Sequence, residues 1–392
     1  KLRDENLSLG ELAELERQYA GRRRDRTNII ETETAAELAG EFSPLHTQQA
    51  MNQVADADLE IALAELNKVK LQLRWLLLDG ELLVGKDLIN YAELMAMDPN
   101  SGKWAGPISN LLIELATYKS RALQAHTSGT TGSPSLIQIP RRDLVASAKL
   151  TARTFDLKAS ERVLLCLPGE FIAGKMMIVR AMVLGLDLHV IDPRGSILEK
   201  LEKKDRFKFA AMVPLQLHRG VQEDRERIEL QFGTILLGGG PVSNALIEDI
   251  RDLGTAVHQS YGSTETVTHV AIRPLNSAAN KKGPAGISSY ADMPFRAIGN
   301  CSFERDLRGC LVVNTPHLSV KQHVTNDIVE LIDDGTFRWL GRWDNVILSG
   351  GKKIFPEQLE TRTAGVIPYP HYFTSTPDDQ MGQAVCLVLE AN

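Results

Sequence analysis

Val163-Leu-Leu-Cys-Leu-Pro-Gly-Glu-Phe-Ile-Ala-Gly-Lys-Met-Met-Ile-Val-Arg-Ala-Met-Val-Leu-Gly-Leu-Asp-Leu-His-Val-Ile191 reads as strand, crossover, strand. Val163–Pro168 is a short continuous apolar run, which marks a strand buried on both faces. Lys175 to Leu184 has helical texture, and Leu186–Ile191 is a second strand stopped by Asp192-Pro193. Working outward, Phe209–Val213 is another strand, and Thr234-Ile-Leu-Leu runs into Gly238-Gly-Gly. Ser243 is placed to N-cap a helix reaching Leu253. Upstream, Trp75-Leu-Leu-Leu-Asp-Gly-Glu-Leu-Leu83 is a hairpin turning at Asp79-Gly80, and residues 87–97 and 107–118 are helices. This alternation predicts an α/β fold with parallel βαβ layers. On such sheets ligands gather at the carboxyl ends of the strands, so the loops there are where chemistry is sought.

The bulk properties agree with a globular protein of two or three domains: 392 residues, 43% hydrophobic and 24% charged. A net charge of −6 gives no electrostatic case for nucleic acid. Cys166, Cys301, Cys310 and Cys386 form no CxxC pair, so free thiols in a reducing cytoplasm are expected rather than a disulfide framework or zinc site. No apolar run approaches the roughly 20 residues that span a bilayer. Residues 1–70 read as a charged helical extension, with Leu59, Ala62, Leu63, Leu66 and Lys70 at helical spacing. The run Arg22, Arg23, Arg24, Arg26 is read as a solvated end, with phosphate binding as the alternative. A boundary falls near Leu340-Gly-Arg-Trp-Asp344, which divides the chain into 1–70, 71–341 and 342–392.

Four segments carry chemistry. The first is Thr127, Ser128, Gly129, Thr130, Thr131 and Gly132, glycines and hydroxyls packed together in the way that brings backbone N–H groups against an anion. Its spacing is not that of the P-loop. The second is Gly238, Gly239, Gly240 and Pro241, where glycines permit flat contact with a planar ring. The third is Ser260-Tyr-Gly-Ser-Thr-Glu-Thr266, and the fourth is Thr325-Asn-Asp327 followed by Gly341-Arg-Trp-Asp344.

In this order the four segments resemble the adenylate-forming superfamily of acyl-CoA synthetases, peptide-synthetase adenylation domains and luciferases. The resemblance covers residues 75–392. It implies a large adenylate-forming N-terminal domain and a small α+β C-terminal domain, here incomplete. It also implies ATP, Mg²⁺ and CoA as cofactor and co-substrates. It implies that Thr127–Gly132 hold phosphates and that Gly239, Gly240 and Pro241 lie against adenine. Tyr261 and Gly262 belong to the adenine site, with Tyr261 stacking on the ring. Thr264 contacts the α-phosphate and Glu265 holds the metal ion, a hard cation suited to carboxylate oxygen. Asp327 takes the ribose hydroxyls, Arg342 approaches the same sugar, and Asp344 is the hinge of the small domain. The family's phosphate-loop Lys is replaced by Ser135, which leaves Arg141 or Arg142 to compensate.

Leu167-Pro-Gly-Glu-Phe-Ile-Ala-Gly-Lys-Met-Met-Ile-Val-Arg180, with Ala211-Met-Val-Pro-Leu-Gln216 and Thr264-Glu-Thr-Val-Thr-His269, resembles the o-succinylbenzoate–CoA ligases of menaquinone synthesis. That acid carries a second carboxylate, which needs a cation in the pocket. Lys175, Arg180 and His269 are the candidates. Lys175 and Arg180 are five apart and not on one face, and Lys175 is expected to be the inward one and to serve catalysis.

The chain has no initiator Met and ends at Asn392, before the segment in which the family carries a further Lys. It is therefore expected to be a fragment or processed form, with slow adenylation if Asn392 is its end. The partners expected are a small carboxylic acid, ATP and CoA, with no nucleic acid and no membrane span, and a homodimer is left open. Two other interpretations remain: an adenylation domain serving a carrier protein, and a catalytically impaired nucleotide-binding homologue.

Overall fold

The computed structural model describes residues 73–99, 101–117, 120–126, 135–280 and 289–390. The extension at residues 1–70 and the loop residues Thr127–Gly132 lie outside them.

The strands are β1 Trp75–Leu78, β2 Glu81–Val84, β3 Ala122–His126, β4 Leu136–Pro140, β5 Arg162–Leu165, β6 Asp187–Val190, β7 Phe207–Met212, β8 Phe232–Leu237, β9 Ala256–Gly262 and β10 His269–Pro274. They continue with β11 Phe295–Ala297, β12 Ser302–Arg305, β13 Cys310–Asn314, β14 Gln322–Asp333, β15 Thr336–Arg342, β16 Ile347–Ser349, β17 Lys352–Ile354, β18 His371–Asp378 and β19 Gly382–Leu389. The helices are α1 Lys86–Met97, α2 Ala105–Thr117, α3 Arg141–Phe155, α4 Ile172–Leu184, α5 Pro214–Gln231, α6 Asn244–Asp249 and α7 Pro356–Thr363.

Thirteen strands join in the order β12-β13-β14-β15-β11-β10-β9-β8-β7-β5-β6-β1-β2. From β1 through β6, β5, β7 and β8 to β9 every neighbouring pair is parallel, as the alternation predicts. Side-chain alternation explains why the central strands are largely apolar. Val163 and Leu165 enter one core with α3 and α4, whereas Leu164 and Cys166 enter another with α5 and α6. Phe209 and Ala210 divide in the same way. Both faces of the sheet are covered, although β6 carries Asp187 and His189 on one side and β9 carries His258 and Ser260. Phe209 is fully buried, and its truncation to Ala costs about 3–5 kcal/mol.

Asp79 (φ 48°) and Gly80 (φ 80°) make the tight turn between β1 and β2, and both are in the left-handed region that such a hairpin requires. Gly174 lies where α4 begins, and a Cβ there would collide with the Pro168 carbonyl. That contact seats the helix against the end of β5.

Three features depart from the sequence-based expectation. Beyond β9 the sheet turns antiparallel through β10, β11, β15, β14, β13 and β12, so it is mixed. The helix after Ser243 stops at Asp249 rather than Leu253, although Ser243 Oγ does accept from Leu246 N (3.2 Å). Helices α3 and α5 join those expected. The chain passes a single turn at Trp343–Asn345 and then forms a separate antiparallel sheet, β17-β16-β19-β18, with α7 against β18.

Candidate functional site

Strands β8 and β9 end side by side, and two of the four segments follow from their ends. Gly238 follows β8 and abuts Ser260, whose hydroxyl donates to the Leu237 carbonyl (2.8 Å). Gly239 has φ 76°. Gly238 thus packs directly against β9 at Ser260, and Gly239 turns the chain in the left-handed region.

The turn from β9 to β10 is unusually tight. A Cβ at Gly262 would collide with the Thr268 carbonyl, so only glycine fits. Ser263 N donates to Thr266 Oγ1 (2.9 Å), and that hydroxyl donates onward to Thr268 O (2.8 Å). Val267 is held at φ 67°, a conformation that costs a β-branched residue about 1–3 kcal/mol. The strain is tolerated because Val267 is buried in the main core. The turn buries Thr264, whose Oγ1 donates to the His126 carbonyl (3.3 Å), and leaves Glu265 exposed. His126 immediately precedes Thr127, so Thr264 stands at the root of the glycine-rich loop.

The ribose segment arrives from the antiparallel half of the sheet. Asp327 and Arg342 face each other across β14 and β15. Tyr261 Oη donates to Asp327 Oδ2 (2.6 Å), Trp339 Nε1 donates to Oδ1 (3.1 Å), and Arg342 reaches Oδ1 at 3.4 Å. Burial, and then the Asp327 charge, hold the Tyr261 phenol well above its ordinary pKa, so it stays a donor. The Tyr261 ring packs edge-on against Phe337 (centroids 5.1 Å). A carboxylate has about four acceptor positions, so three of those on Asp327 are engaged by these donors. Arg342 also binds Asp344 (3.1 Å), and Asn326 meets the same carboxylate (3.3 Å). Trp339 escaped the sequence reading, because a register irregularity between Ile328 and Val329 brings it beside Asp327.

A second cluster lies deeper, between α3, α4 and β10. Arg180 is 2% exposed. Its Nε donates to Thr151 Oγ1 (3.1 Å), and Thr151 in turn donates to Ser147 O (3.1 Å) and lies 3.4 Å from His269 Nε2. Burial lowers Arg180 to about 9. Burial, reinforced by the Arg180 charge, puts His269 well below its ordinary value, so the imidazole is neutral. Arg180 forms no ion pair with any described carboxylate, which is an uncommon state for a buried cation.

Lys175 is not the inward residue. Its Nζ donates to the Gln124 carbonyl (2.8 Å), on the far side of α4 from Arg180. Five residues of helix rotate about 140°, so packing one of the pair inward turns the other out. Neither arginine stands at the His126–Leu136 end of the β3–β4 hairpin. Arg141 is buried and donates to the carbonyls of Ser120, Leu115 and Glu114. Arg142 holds Ser319 Oγ (2.7 Å). Both follow Pro140, which pairs with Ala122 at the hairpin end remote from the loop.

A sheet covered on both faces thus carries a Tyr–Asp–Arg cluster at its β9 and β14–β15 strands. The family model described as AMP-binding enzyme matches residues 64–298. The chain belongs to the AMP-binding enzyme family. An acyl-CoA synthetase (AMP-forming)/AMP-acid ligase II-like protein of Dyadobacter fermentans is 35% identical, with 77% of this chain and 84% of that chain covered and a TM-score of 0.54. The 2-succinylbenzoate–CoA ligase of Bacillus subtilis is 27% identical over 278 residues, covering 64% of this chain and 55% of that protein. The enzyme of the same name from Enterococcus faecalis is 28% identical over 255 residues, 60% of this chain and 52% of that protein. The B. subtilis o-succinylbenzoate CoA synthetase in complex with the acyl-adenylate intermediate has the same fold, with a TM-score of 0.57 at 24% identity. The chain spans about half the length of the curated relatives it matches.

Proposed function

We propose that the chain activates a carboxylic acid, o-succinylbenzoate, as its acyl-adenylate and passes the acyl group to CoA. The observation that carries the choice of acid is Arg180, a buried cation with no carboxylate partner among the described residues. A dicarboxylic acid supplies the missing anion, with Thr151 and His269 as neutral partners beside it. The curated relatives bearing the name 2-succinylbenzoate–CoA ligase support the same choice.

In the first half-reaction a carboxylate oxygen forms a bond to the α-phosphorus of ATP, and the bond to pyrophosphate breaks. Thr264 donates to the α-phosphate. Asp327, Tyr261 and Arg342 fix the ribose, and Gly239, Gly240 and Pro241 border the adenine. Positioning carries most of the rate. Among the described residues no three His, Cys, Asp or Glu side chains gather as a metal cage. Exposed Glu265 is thus a single carboxylate, which fits Mg²⁺ whose remaining ligands are phosphate oxygens and water. When bound, the ion offsets charge on the departing pyrophosphate. In the second half-reaction the CoA sulfur bonds to the acyl carbon, AMP leaves, and the thiol proton passes to solvent. Residues 71–341 and 342–392 act as two units, with Asp344 at the hinge between them.

No helix among the described residues is long and apolar enough to cross a membrane, and all four cysteines are free. Both features support a cytoplasmic setting. The test is ATP–pyrophosphate exchange over a panel of acids, followed by thioester formation with CoA. Exchange driven by o-succinylbenzoate and not by monocarboxylic acids supports the proposal. Exchange indifferent to the acid, or ATP binding without exchange, overturns it.

A further inference from the structure

Between Thr127 and Pro140 the sequence holds neither Lys nor Arg. A glycine- and hydroxyl-rich loop of this kind supplies donors but no full positive charge, and a triphosphate carries several negative ones. The next cations along the chain, Arg141 and Arg142, are engaged at the remote end of the β3–β4 hairpin. A side-chain cation to add to the charge of Mg²⁺ would have to come from another element.

Among the described residues strand β3 pairs with β4 alone, and its other edge has no described strand partner. The carbonyls of Gln124 and His126, two residues apart, point to the same edge. Lys175 Nζ binds the first (2.8 Å) and Thr264 Oγ1 binds the second (3.3 Å). Two residues of strand separate their anchor points by about 7 Å. An ammonium group and the hydroxyl assigned to the α-phosphate are thus neighbours along one backbone edge. An ammonium has three donors, of which one is used on Gln124. No described carboxylate lies within ion-pair distance of Nζ. Burial lowers the Lys175 pKa, while the more distant charges of Glu114 and Glu170 oppose the shift.

We propose that Lys175, anchored on the Gln124 carbonyl, contacts the β- and γ-phosphates of the nucleotide and stabilises pyrophosphate as it leaves. This rests on the ligase reading of the site and replaces acid recognition as the task of Lys175. The lysine keeps its protons throughout. The bond that forms joins acid oxygen to the α-phosphorus, the bond that breaks leads to pyrophosphate, and the electron pair leaves with that oxygen.

The experiment compares wild type, Lys175→Met and Lys175→Arg by calorimetric binding of ATP, pyrophosphate and AMP without any acid present. Lys175→Met is expected to weaken ATP and pyrophosphate by about 10- to 100-fold, the range of one charge-assisted contact, with AMP within about twofold. Lys175→Arg should recover most of the loss. In exchange assays KM for pyrophosphate should rise and KM for the acid should not. Unchanged AMP binding also verifies that the variant is folded. Equal losses for ATP and AMP, or a change confined to the acid, overturn the proposal. A wild-type chain that binds ATP yet exchanges with no acid defeats the ligase reading, while the ATP-against-AMP comparison still decides the role of Lys175.

Discussion

Replacing Arg180 with Met should raise stability and lower function at once. Wild-type Arg180 is buried, bonded to Thr151 Oγ1 and the Met177 sulfur, and paired with no described acid. Removing a buried charge in favour of an apolar side chain of similar volume is commonly neutral or stabilising by about 1–4 kcal/mol. Binding should change in the opposite sense. One charge-assisted hydrogen bond is worth about 1.5–3 kcal/mol, so KM for o-succinylbenzoate should rise about 10- to 150-fold. KM for the analogue lacking the ring carboxylate should hardly move. The pH dependence adds a third readout. Burial lowers the folded-state value from the ordinary guanidinium range to about 9. The unfolded chain therefore binds more protons above about pH 9, and wild-type stability should gain with rising pH in that range. Arg180→Met should abolish that gain. The assays are urea unfolding without substrate and steady-state kinetics with the two acids. A variant that loses both acids equally, or unfolds at much lower urea, refutes the reasoning.

Asp327→Ala should raise KM for ATP by about 10- to 100-fold, since it removes the acceptor shared by Tyr261, Trp339 and Arg342. The same change should lower the Tyr261 phenol pKa, measured by ultraviolet titration, because the Asp327 charge adds to the effect of burial. Gly262→Ala should cost about 1–3 kcal/mol in chemical denaturation and disable nucleotide binding, because its methyl meets the Thr268 carbonyl. His258 is lowered to about 4 by burial alone, and its Nδ1 has no partner. The unfolded state therefore takes up its proton first, and stability should fall as pH drops from about 6.5 towards 4. His258→Phe should flatten that part of a pH–denaturation profile.

The parallel half of the sheet was legible because its strands are short apolar runs separated by helices, and both faces demand apolar side chains. The antiparallel half was not. β14 has no clean alternation: His323, Thr325 and Asp327 are half-buried polar residues, and its ladder to β15 carries two irregularities. Helix α3 also resisted, since Arg141, Asp143, Ser147, Lys149 and Thr151 are buried in it and erase the usual apolar stripe. At the site, the motif residues Tyr261, Asp327 and Arg342 were read correctly as neighbours, because contiguous signatures carried them. Trp339 was missed because the irregularity between Ile328 and Val329 decides its place beside Asp327, and no sequence spacing encodes a bulge. The choice between Lys175 and Arg180 depended on how α4 is rolled, which the collision of any side chain at Gly174 with Pro168 helps fix.

Photolabelling with 8-azido-ATP, followed by peptide mapping, interrogates the shared pocket directly. Label is expected in the peptides holding Gly238–Pro241 and Tyr261, with protection by unlabelled ATP and loss of label in Asp327→Ala. Protectable label confined to peptides distant from both segments would contradict a single nucleotide site built from the ends of β8 and β9 and the middle of β14.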